Sequence, residues 1–174
     1  MIKGSRINLR HVRRNDLEQL VSLLNDLDAR GEYLPNTMFS PVDLQKKFEA
    51  DGMAGDDLTR FLIVDGSDRI LGTIFYFKSV PYYSAREIGY TIFAVDQRGA
   101  GIATEAVTLL SRHLFDLLQI NRLEIRMDSR NLASEKVAIK CGFKKEGVSR
   151  GANFIRGKHV DMNIYALLRN EFDV

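Results

Sequence analysis

A strand that runs through two glycines directly into a helix is the feature that most constrains how this chain folds. The stretch from Phe93 to Thr104 reads FAVDQRGAGIAT. Glycine lets the backbone approach a bulky ligand, and successive N–H groups in such a turn converge on an anion. The helix beyond adds unpaired N–H groups and the positive end of its dipole. The pattern favours a pyrophosphate site, although a turn that uses glycine for geometry alone also fits. The predicted contacts are Arg98, Gly99, Ala100, Gly101, Ile102, Ala103 and Thr104.

Two other phosphate-binding motifs compete with this interpretation. No GxxxxGK[S/T] P-loop occurs in the chain. The residues Gly99, Gly101 and Thr104 fit the dinucleotide fingerprint GxGxxG except at its last place, and Asp128 follows about where a ribose-binding acid would lie. Against this fingerprint, the preceding strand continues an antiparallel pattern, and about 70 residues remain after Thr104, too few for a full dinucleotide-binding domain. A nucleotide-binding oxidoreductase is therefore the second interpretation.

The periodicity of apolar residues predicts one mixed domain over residues 1–174, with a core from about residue 6 to residue 171. The order of elements is β-α-α-β-β-β-α-β-α-β-β, which indicates an α/β (α+β) fold whose first half is antiparallel. The predicted strands are Arg6–Val12, Phe61–Val64, Ile70–Phe77, Ile88–Val95, Leu123–Met127, Phe143–Ser149 and Val160–Leu168. The predicted helices follow Asn15-Asp16 and span Val42–Ala50, Ile102–Leu118 and about Ala133–Lys140.

Charge and composition exclude several classes of protein. The 25 Lys and Arg residues against 23 Asp and Glu leave a formal net charge of +2, which argues against a nucleic-acid partner. One cysteine, Cys141, and three scattered histidines argue against a disulfide framework or a metal site. No apolar run approaches the roughly 20 residues that span a bilayer, and the first residues carry no secretory h-region. We therefore expect a cytoplasmic chain with no metal, membrane or nucleic-acid partner.

Several motifs together resemble one known family. The segment Arg98–Ala103 is similar to the coenzyme A signature Gln/Arg-x-x-Gly-x-Gly/Ala of the GNAT superfamily of N-acetyltransferases. Further motifs resemble the family in the correct order, namely Leu71–Ile74, Ala85–Tyr90, Gly101–Ala106, and Asn131–Ser134 with Lys140–Phe143. The resemblance is best to the RimJ/RimL branch, which is named for acetyltransferases of ribosomal proteins, and covers Arg6 to about Glu171. Ile102 and Cys141 depart from the usual Tyr and Leu, which should not alter the chemistry.

The resemblance implies both a fold and a reaction. The fold would be a mixed, mostly antiparallel sheet of about seven strands, splayed in the middle and flanked by about four helices. Acetyl-coenzyme A would donate its acetyl group to a primary amine by direct attack in a ternary complex, so that no cysteine nucleophile is needed. A backbone N–H within Thr91–Phe93 would stabilise the oxyanion, and Phe93 and Val95 would pair with pantetheine amides. A coenzyme-A-binding domain without catalysis is the third alternative.

Two side chains are candidates for proton transfer. Alternation places Glu87 on one strand face with Thr91, and superfamily members carry a glutamate base at a similar distance before the signature. Alternatively, this glutamate holds Arg86 or a lysine in a surface ion pair, or only orders the strand. In RimJ/RimL-like enzymes the residue corresponding to Asn131 binds pantetheine and the serine corresponding to Ser134 lies near the sulfur, where it would protonate the leaving thiolate. Asn131 also suits a helix N-cap, and alternation makes Tyr90 a core residue on the face opposite Glu87.

The acceptor amine is predicted to contact the segment Asp26–Ser40 and the loop Ser79–Ser84. Three acids, Asp26, Asp28 and Glu32, would attract a cationic amine, a peptide terminus or a polyamine, although a solvated acidic loop has the same composition. The branch name suggests a protein N-terminus, and such relatives also modify small amines. The chain would be a monomer or a homodimer, in which the closing strand could pair with a second copy.

Overall fold

The computed structural model describes residues 1–78 and 80–172, and within them an eight-stranded sheet dominates the fold. The strands are β1 (Ile2–Lys3), β2 (Asn8–His11), β3 (Leu58–Val64), β4 (Ile70–Phe77), β5 (Ala85–Ile92), β6 (Arg122–Asp128), β7 (Lys144–Ile155) and β8 (Lys158–Leu168). The helices are α1 (Leu17–Asn25), α2 (Leu27–Arg30), α3 (Pro41–Asp51), α4 (Ile102–Leu117) and α5 (Leu132–Lys140). The predicted α/β class is confirmed, with β1 and α2 in addition to the expected elements.

The strands follow the order β1-β2-β3-β4-β5-β6-β8-β7 across the sheet. Every neighbouring pair in the described residues is antiparallel except β5 with β6, which run parallel. That parallel pairing covers three residues of β5, from Ala85 through Glu87. Beyond Glu87 the two strands separate, because β5 continues against β4 to Ile92 while β6 continues against β8 to Asp128. We call this opening the β5–β6 gap, and it confirms the expected splay.

Strand pairing also separates the two interpretations of the glycine turn. A dinucleotide-binding domain is built from parallel strands in successive βαβ units. Within residues 1–78 and 80–172 a single neighbouring pair is parallel, and β5 reaches the glycines from the antiparallel meander β2–β5. The topology therefore does not support the oxidoreductase alternative.

Helices cover both faces of the sheet, including the strands β5 and β6 that border the gap. The helix α4 turns one face of apolar residues, spaced three and four apart, into the main core, and α5 packs on the same side. The buried residues of that face include Ala106, Val107, Leu110 and Leu114. On the other side, α1 and α3 close a second core, whose members include Leu20, Leu44, Leu62 and Phe93. The gap therefore lies between the main core, on the side of α4 and α5, and the second core, on the side of α1 and α3.

The strand β5 ends earlier than the sequence predicts. The N–H groups of Phe93 and Ala94 both donate to the carbonyl oxygen of Leu71, at 2.8 and 3.1 Å, which forms a β-bulge. The bulge turns the chain out of the sheet, and Val95–Gln97 form a 3₁₀ turn. The predicted strand Ile88–Val95 is therefore too long, because apolar alternation continues through a bulge that ends the ladder.

The closing strand β8 is an interior strand. It pairs with β6 along one edge and with β7 along the other. The prediction that this strand could pair with a second copy is wrong, because both of its edges already carry hydrogen-bonded neighbours. The outer strand at that end of the sheet is β7.

Candidate functional site

The glycine turn joins the end of β5 to α4 and leaves several amides unpaired. Gly99 and Gly101 have φ of +78° and +83°, a left-handed conformation that costs a residue with a Cβ about 1–2 kcal/mol. In the described part of the chain, five N–H groups of the turn and of the first helical turn find no backbone acceptor. They belong to Gly99, Gly101, Ile102, Ala103 and Thr104. The helix of 16 residues adds its dipole, so five of the seven predicted residues present donors suited to a diphosphate, whereas the N–H groups of Arg98 and Ala100 donate to the carbonyl oxygens of Val95 and Gln97.

The side chain of Arg98 lies along the gap. Its Nε and Nη2 donate to the carbonyl oxygen of Ile92 at 3.2 and 2.9 Å, and Nη2 also donates to the carbonyl oxygen of Ala29 on α2. The N–H of Arg98 donates to the carbonyl oxygen of Val95 at 3.2 Å. The cation predicted at the edge of the anion site therefore connects the end of β5 to α2.

The backbone of β5 presents one amide of the predicted oxyanion window to the gap. The N–H of Phe93 is used by Leu71, on the β4 side. Because successive amides of a strand point to opposite sides, the N–H of Ile92 points toward the gap. Phe93 buries its ring in the second core, whereas Val95 lies in the 3₁₀ turn with an exposed side chain. The structure thus favours Ile92 over Phe93 as the donor within the window Thr91–Phe93.

Glu87 lies where the gap opens, beside Glu124 in the parallel register. Arg126 contacts both carboxylates, with Nε 3.4 Å from Oε2 of Glu87 and Nη2 donating to Oε2 of Glu124 at 2.9 Å. Glu124 also accepts a hydrogen bond from Nε of Arg122 at 2.7 Å. The side chain of Glu87 is 14% exposed. Glu87 thus forms an ion pair with Arg126 in a largely buried position, which differs from the expected surface pair with Arg86 or a lysine.

Ser134 and Asn131 lie at the start of α5. The Oδ1 of Asn131 accepts a hydrogen bond from the N–H of Ser134 at 3.1 Å, so Asn131 is an N-cap. The Oγ of Ser134 lies 2.8 Å from the phenol oxygen of Tyr90. Burial raises the pKa of Tyr90 to about 12, so this phenol keeps its proton at neutral pH. Alternation along β5 places Tyr90 and Glu87 on opposite faces of the strand. Ser134, which contacts Tyr90, and Glu87 therefore lie on opposite sides of the gap.

Sequence reasoning missed two contributors to the site. Tyr90 alternates like a core residue, and nothing in its local sequence indicates the contact with Ser134. The strand β6 reads RLEIRMD, in which charged and apolar residues alternate. That alternation is typical of a strand with one polar face, and it was the available signal for Arg126 beside Glu87.

The segment predicted to meet the acceptor, Asp26–Ser40, is held by arginines. Oδ1 of Asp26 accepts from the first turn of α2 at 2.9 Å as a helix cap. Arg30, Arg98 and Arg156 donate to backbone carbonyls in or beside this segment rather than to carboxylates. Burial, and then the charge of Arg156, lowers the pKa of Arg30. These arginines therefore fix the backbone of the segment rather than pair with its carboxylates.

The second predicted acceptor loop, Ser79–Ser84, is aromatic. Ser79 lies outside the described residues. Tyr82 and Tyr83 are 83% and 48% exposed, and their rings meet edge to face with centroids 5.0 Å apart. The loop thus offers an exposed aromatic surface before β5 begins.

Residues 1–78 and 80–172 contain no group of three His, Cys, Asp or Glu residues arranged to hold a metal ion. The same residues form no helix with the length and apolar character needed to cross a membrane.

Comparison with known proteins gives one consistent result. Residues 6–144 match the family described as acetyltransferase (GNAT) domain. The uncharacterized N-acetyltransferase p20 of Bacillus licheniformis is 28% identical over 172 residues, covering 96% of this chain and 95% of that protein. The ribosomal-protein-serine acetyltransferase of Escherichia coli (strain K12) is 27% identical over 133 residues, covering 76% and 74%. The crystal structure of spermidine N-acetyltransferase from Vibrio cholerae, in complex with CoA and spermine, has the same fold, with a TM-score of 0.84 at 20% identity over 97% of this chain and 99% of that chain.

Proposed function

The chain belongs to the GNAT acetyltransferase family, and from that premise we propose that it acetylates the α-amine of a peptide or protein N-terminus. The enzyme is an N-acetyltransferase that transfers an acetyl group from acetyl-coenzyme A to a primary amine. One similar protein is named for a ribosomal protein and another for spermidine, so family membership leaves the acceptor open. We choose between a protein N-terminus and a polyamine from the arrangement of charged side chains at the mouth of the β5–β6 gap.

The carboxylates on the strands beside the gap are paired with arginines. Glu87 and Glu124 contact Arg126, and Asp128 contacts Arg130. A polyamine brings several ammonium groups and needs unpaired carboxylates to replace their hydration. The three arginines around the segment Asp26–Ser40 offset the charge of its three acids, Asp26, Asp28 and Glu32. These pairings support an acceptor with a single amine over a polycation.

The ionisation of the acceptor supports the same choice. An α-amine has a pKa of about 7.7–8.0, and a lysine amine has a pKa of about 10.4. At neutral pH an α-amine is therefore partly deprotonated, and it asks less of the base than a lysine does. We therefore assign the removal of the amine proton to Glu87, whose carboxylate lies 3.4 Å from Arg126.

The residues around the gap divide the reaction between them. The amides of residues 99 and 101–104 bind the diphosphate, and the gap accepts the extended pantetheine arm. The N–H of Ile92 donates to the thioester oxygen as negative charge develops there. Glu87 takes a proton from the amine, directly or through water, as the nitrogen attacks the acetyl carbon. Ser134, supported by Tyr90, gives its proton to the sulfur as the carbon–sulfur bond breaks.

A thiol-release assay with three matched acceptors tests the proposal. The acceptors are a lysine-free peptide with a free N-terminus, the same peptide with a blocked N-terminus and one added lysine, and spermidine. We expect kcat/KM for the first to exceed that for the others by about tenfold or more, with mass spectrometry locating the acetyl group on the α-amine. A preference for spermidine or lysine would contradict the acceptor class and leave acetyl transfer itself intact.

A further inference from the structure

The segment that precedes β2 is joined to the glycine turn by hydrogen bonds that the reaction does not explain. Nη1 of Arg6 donates to the carbonyl oxygen of Ala100 at 2.5 Å, and its Nε donates to Oε2 of Glu105 at 3.0 Å. The other oxygen of Glu105, Oε1, accepts from the N–H groups of Ser5 and Arg6 at 2.7 and 2.9 Å and from the Ser5 hydroxyl at 3.0 Å. We call Ser5, Arg6 and Glu105 the Arg6 clip.

The clip fits its surroundings closely. A Cβ on Gly4 would lie 2.6 Å from Oε1 of Glu105, and a Cβ on Gly101 would lie 3.1 Å from Nη2 of Arg6. The side chain of Glu105 is 13% exposed. Burial raises the pKa of Glu105, but hydrogen bonds from Arg6 and Ser5 outweigh burial and hold this pKa below its ordinary value. The carboxylate is therefore charged at neutral pH.

The contact with Ala100 fixes the direction of one peptide group. The carbonyl of Ala100 and the N–H of Gly101 belong to the same planar trans peptide, so they point in opposite directions. A peptide beside a glycine rotates easily, because glycine has no Cβ to restrict it. By holding the carbonyl oxygen, Arg6 keeps the unpaired N–H of Gly101 directed away from the clip, with no backbone acceptor of its own.

The clip also balances charge at the start of α4. Glu105 places a carboxylate in the first turn of this helix, where it would repel a bound diphosphate. Arg6 offsets that charge from 3.0 Å. Without the Arg6 guanidinium, the negative charge of Glu105 would keep its hydrogen bonds from Ser5 and the Arg6 N–H but would lose the cation that neutralises it beside the anion site.

We propose that Arg6 is a positioning residue for the diphosphate of acetyl-coenzyme A, which directs the Gly101 amide toward the diphosphate and neutralises Glu105. Arg6 touches none of the reacting atoms in this role. The inference rests on the proposed use of the glycine turn for coenzyme A. It makes the conformation and charge of the anion site depend on a residue that lies far from the glycine turn in the sequence.

The test compares two acyl donors, acetyl-coenzyme A and acetyl-pantetheine, of which the second lacks the diphosphate. Arg6→Met should raise KM for acetyl-coenzyme A about tenfold with little change in kcat, and should leave kcat/KM for acetyl-pantetheine within about twofold of wild type. Arg6→Lys keeps the charge but cannot contact Ala100 and Glu105 at the same time in the way that a guanidinium does. Its KM for acetyl-coenzyme A should lie between the values for wild type and Arg6→Met. Arg14→Met removes an exposed guanidinium 3.5 Å from Glu49 and is the matched control, with no change for either donor.

Equal losses with both donors, or an unchanged KM for acetyl-coenzyme A, would overturn the inference. Should Arg6→Met fail to melt cooperatively, the same comparison on Arg6→Lys decides, since a loss confined to acetyl-coenzyme A supports the role and an equal loss rejects it. Titration calorimetry of the wild-type protein keeps the two proposals apart. If wild type binds acetyl-coenzyme A and Arg6→Met binds it equally well, only the role of Arg6 fails; if wild type does not bind, the proposed function fails first.

Discussion

The phenol oxygen of Tyr90 lies 2.8 Å from the hydroxyl oxygen of Ser134, and this contact connects β5 to the start of α5. Glu87 projects from the other face of the same strand. One strand therefore carries a carboxylate on the side of α1 and α3 and supports a hydroxyl on the side of α5. Under the proposed roles, proton removal and proton donation would therefore take place on opposite faces of β5.

Removing the Ser134 hydroxyl should slow the chemical step. Ser134→Ala is expected to lower kcat by about two orders of magnitude with little change in KM for acetyl-coenzyme A, because the thiolate then leaves without a proton donor. Tyr90→Phe keeps the ring in place and should cost only about tenfold, since it removes one hydrogen bond to the donor. Steady-state kinetics on both variants check the order. A larger loss in Tyr90→Phe would make Tyr90 the proton donor instead.

Glu87→Gln should abolish most turnover while leaving donor binding intact. We expect kcat to fall by about two orders of magnitude, because the amide cannot accept the proton of the amine. The affinity for acetyl-coenzyme A, measured by calorimetry, should stay close to wild type. Glu146→Gln is the control, since Glu146 also forms an ion pair with an arginine but lies on β7. Equal turnover in the two variants would reduce Glu87 to its ion pair with Arg126.

Gly99 tests whether backbone conformation matters at the anion site. A Cβ at Gly99 would meet nothing within 4 Å, so Gly99→Ala perturbs the φ of +78° alone. We expect a loss of stability of about 1–2 kcal/mol together with weaker binding of acetyl-coenzyme A. Gly66→Ala is the control, because a Cβ at Gly66 also meets open space and its φ is not in the left-handed region. Identical melting temperatures and affinities for the two variants would contradict the prediction.

The buried face of α4 should carry much of the stability of the fold. Leu110 is fully buried, whereas Leu117 on the same helix is 60% exposed. Leu110→Ala should lower the free energy of unfolding by about 2–5 kcal/mol, because it leaves a cavity in the main core. Leu117→Ala should change it by less than about 1 kcal/mol. Urea denaturation of both variants gives the comparison, and similar losses would show that the burial pattern does not govern stability.

The contribution of Glu105 to stability should depend on acid pH. Burial raises the pKa of Glu105, yet hydrogen bonds from Arg6 and Ser5 lower it further, so its folded value lies below the ordinary 4.5. A carboxylate with a depressed folded pKa stabilises the fold above its unfolded pKa and loses this contribution as pH falls through the folded pKa. The melting temperature of wild type should therefore exceed that of Glu105→Gln near neutral pH, and the difference should narrow below pH 4.5. A difference that stays constant across this range would contradict the prediction.

Long periodic segments were predictable from the sequence. The strand Ile70–Phe77 is observed with the predicted bounds, and the helix predicted over Ile102–Leu118 ends at Leu117. Each buries enough apolar residues in register for the period to stand out. The strand β1 has two residues and the helix α2 has four, too few for a period to be recognised. The strand β1 forms by pairing with β2, and α2 is capped by the neighbouring Asp26.

Contacts between distant residues were beyond sequence reasoning. The glycine turn and its unpaired amides followed from the local motif, because backbone conformation there depends on the glycines themselves. The partners of Glu87, Ser134 and Glu105 did not, because tertiary packing selects which guanidinium or hydroxyl lies within reach. The direction of the Arg98 side chain is a further case, since it depends on the position of α2.

Among residues 1–78 and 80–172, the two parts of the sheet on either side of the gap share three residue pairs, which end at Glu87. So short a ladder itself opposes little relative movement of the two parts, which are otherwise joined through the main core. An acyl donor seated between them would brace one against the other and fix the spacing across which the amine must reach. We therefore expect the donor to bind first and the acceptor second, at a site that the donor has made more rigid.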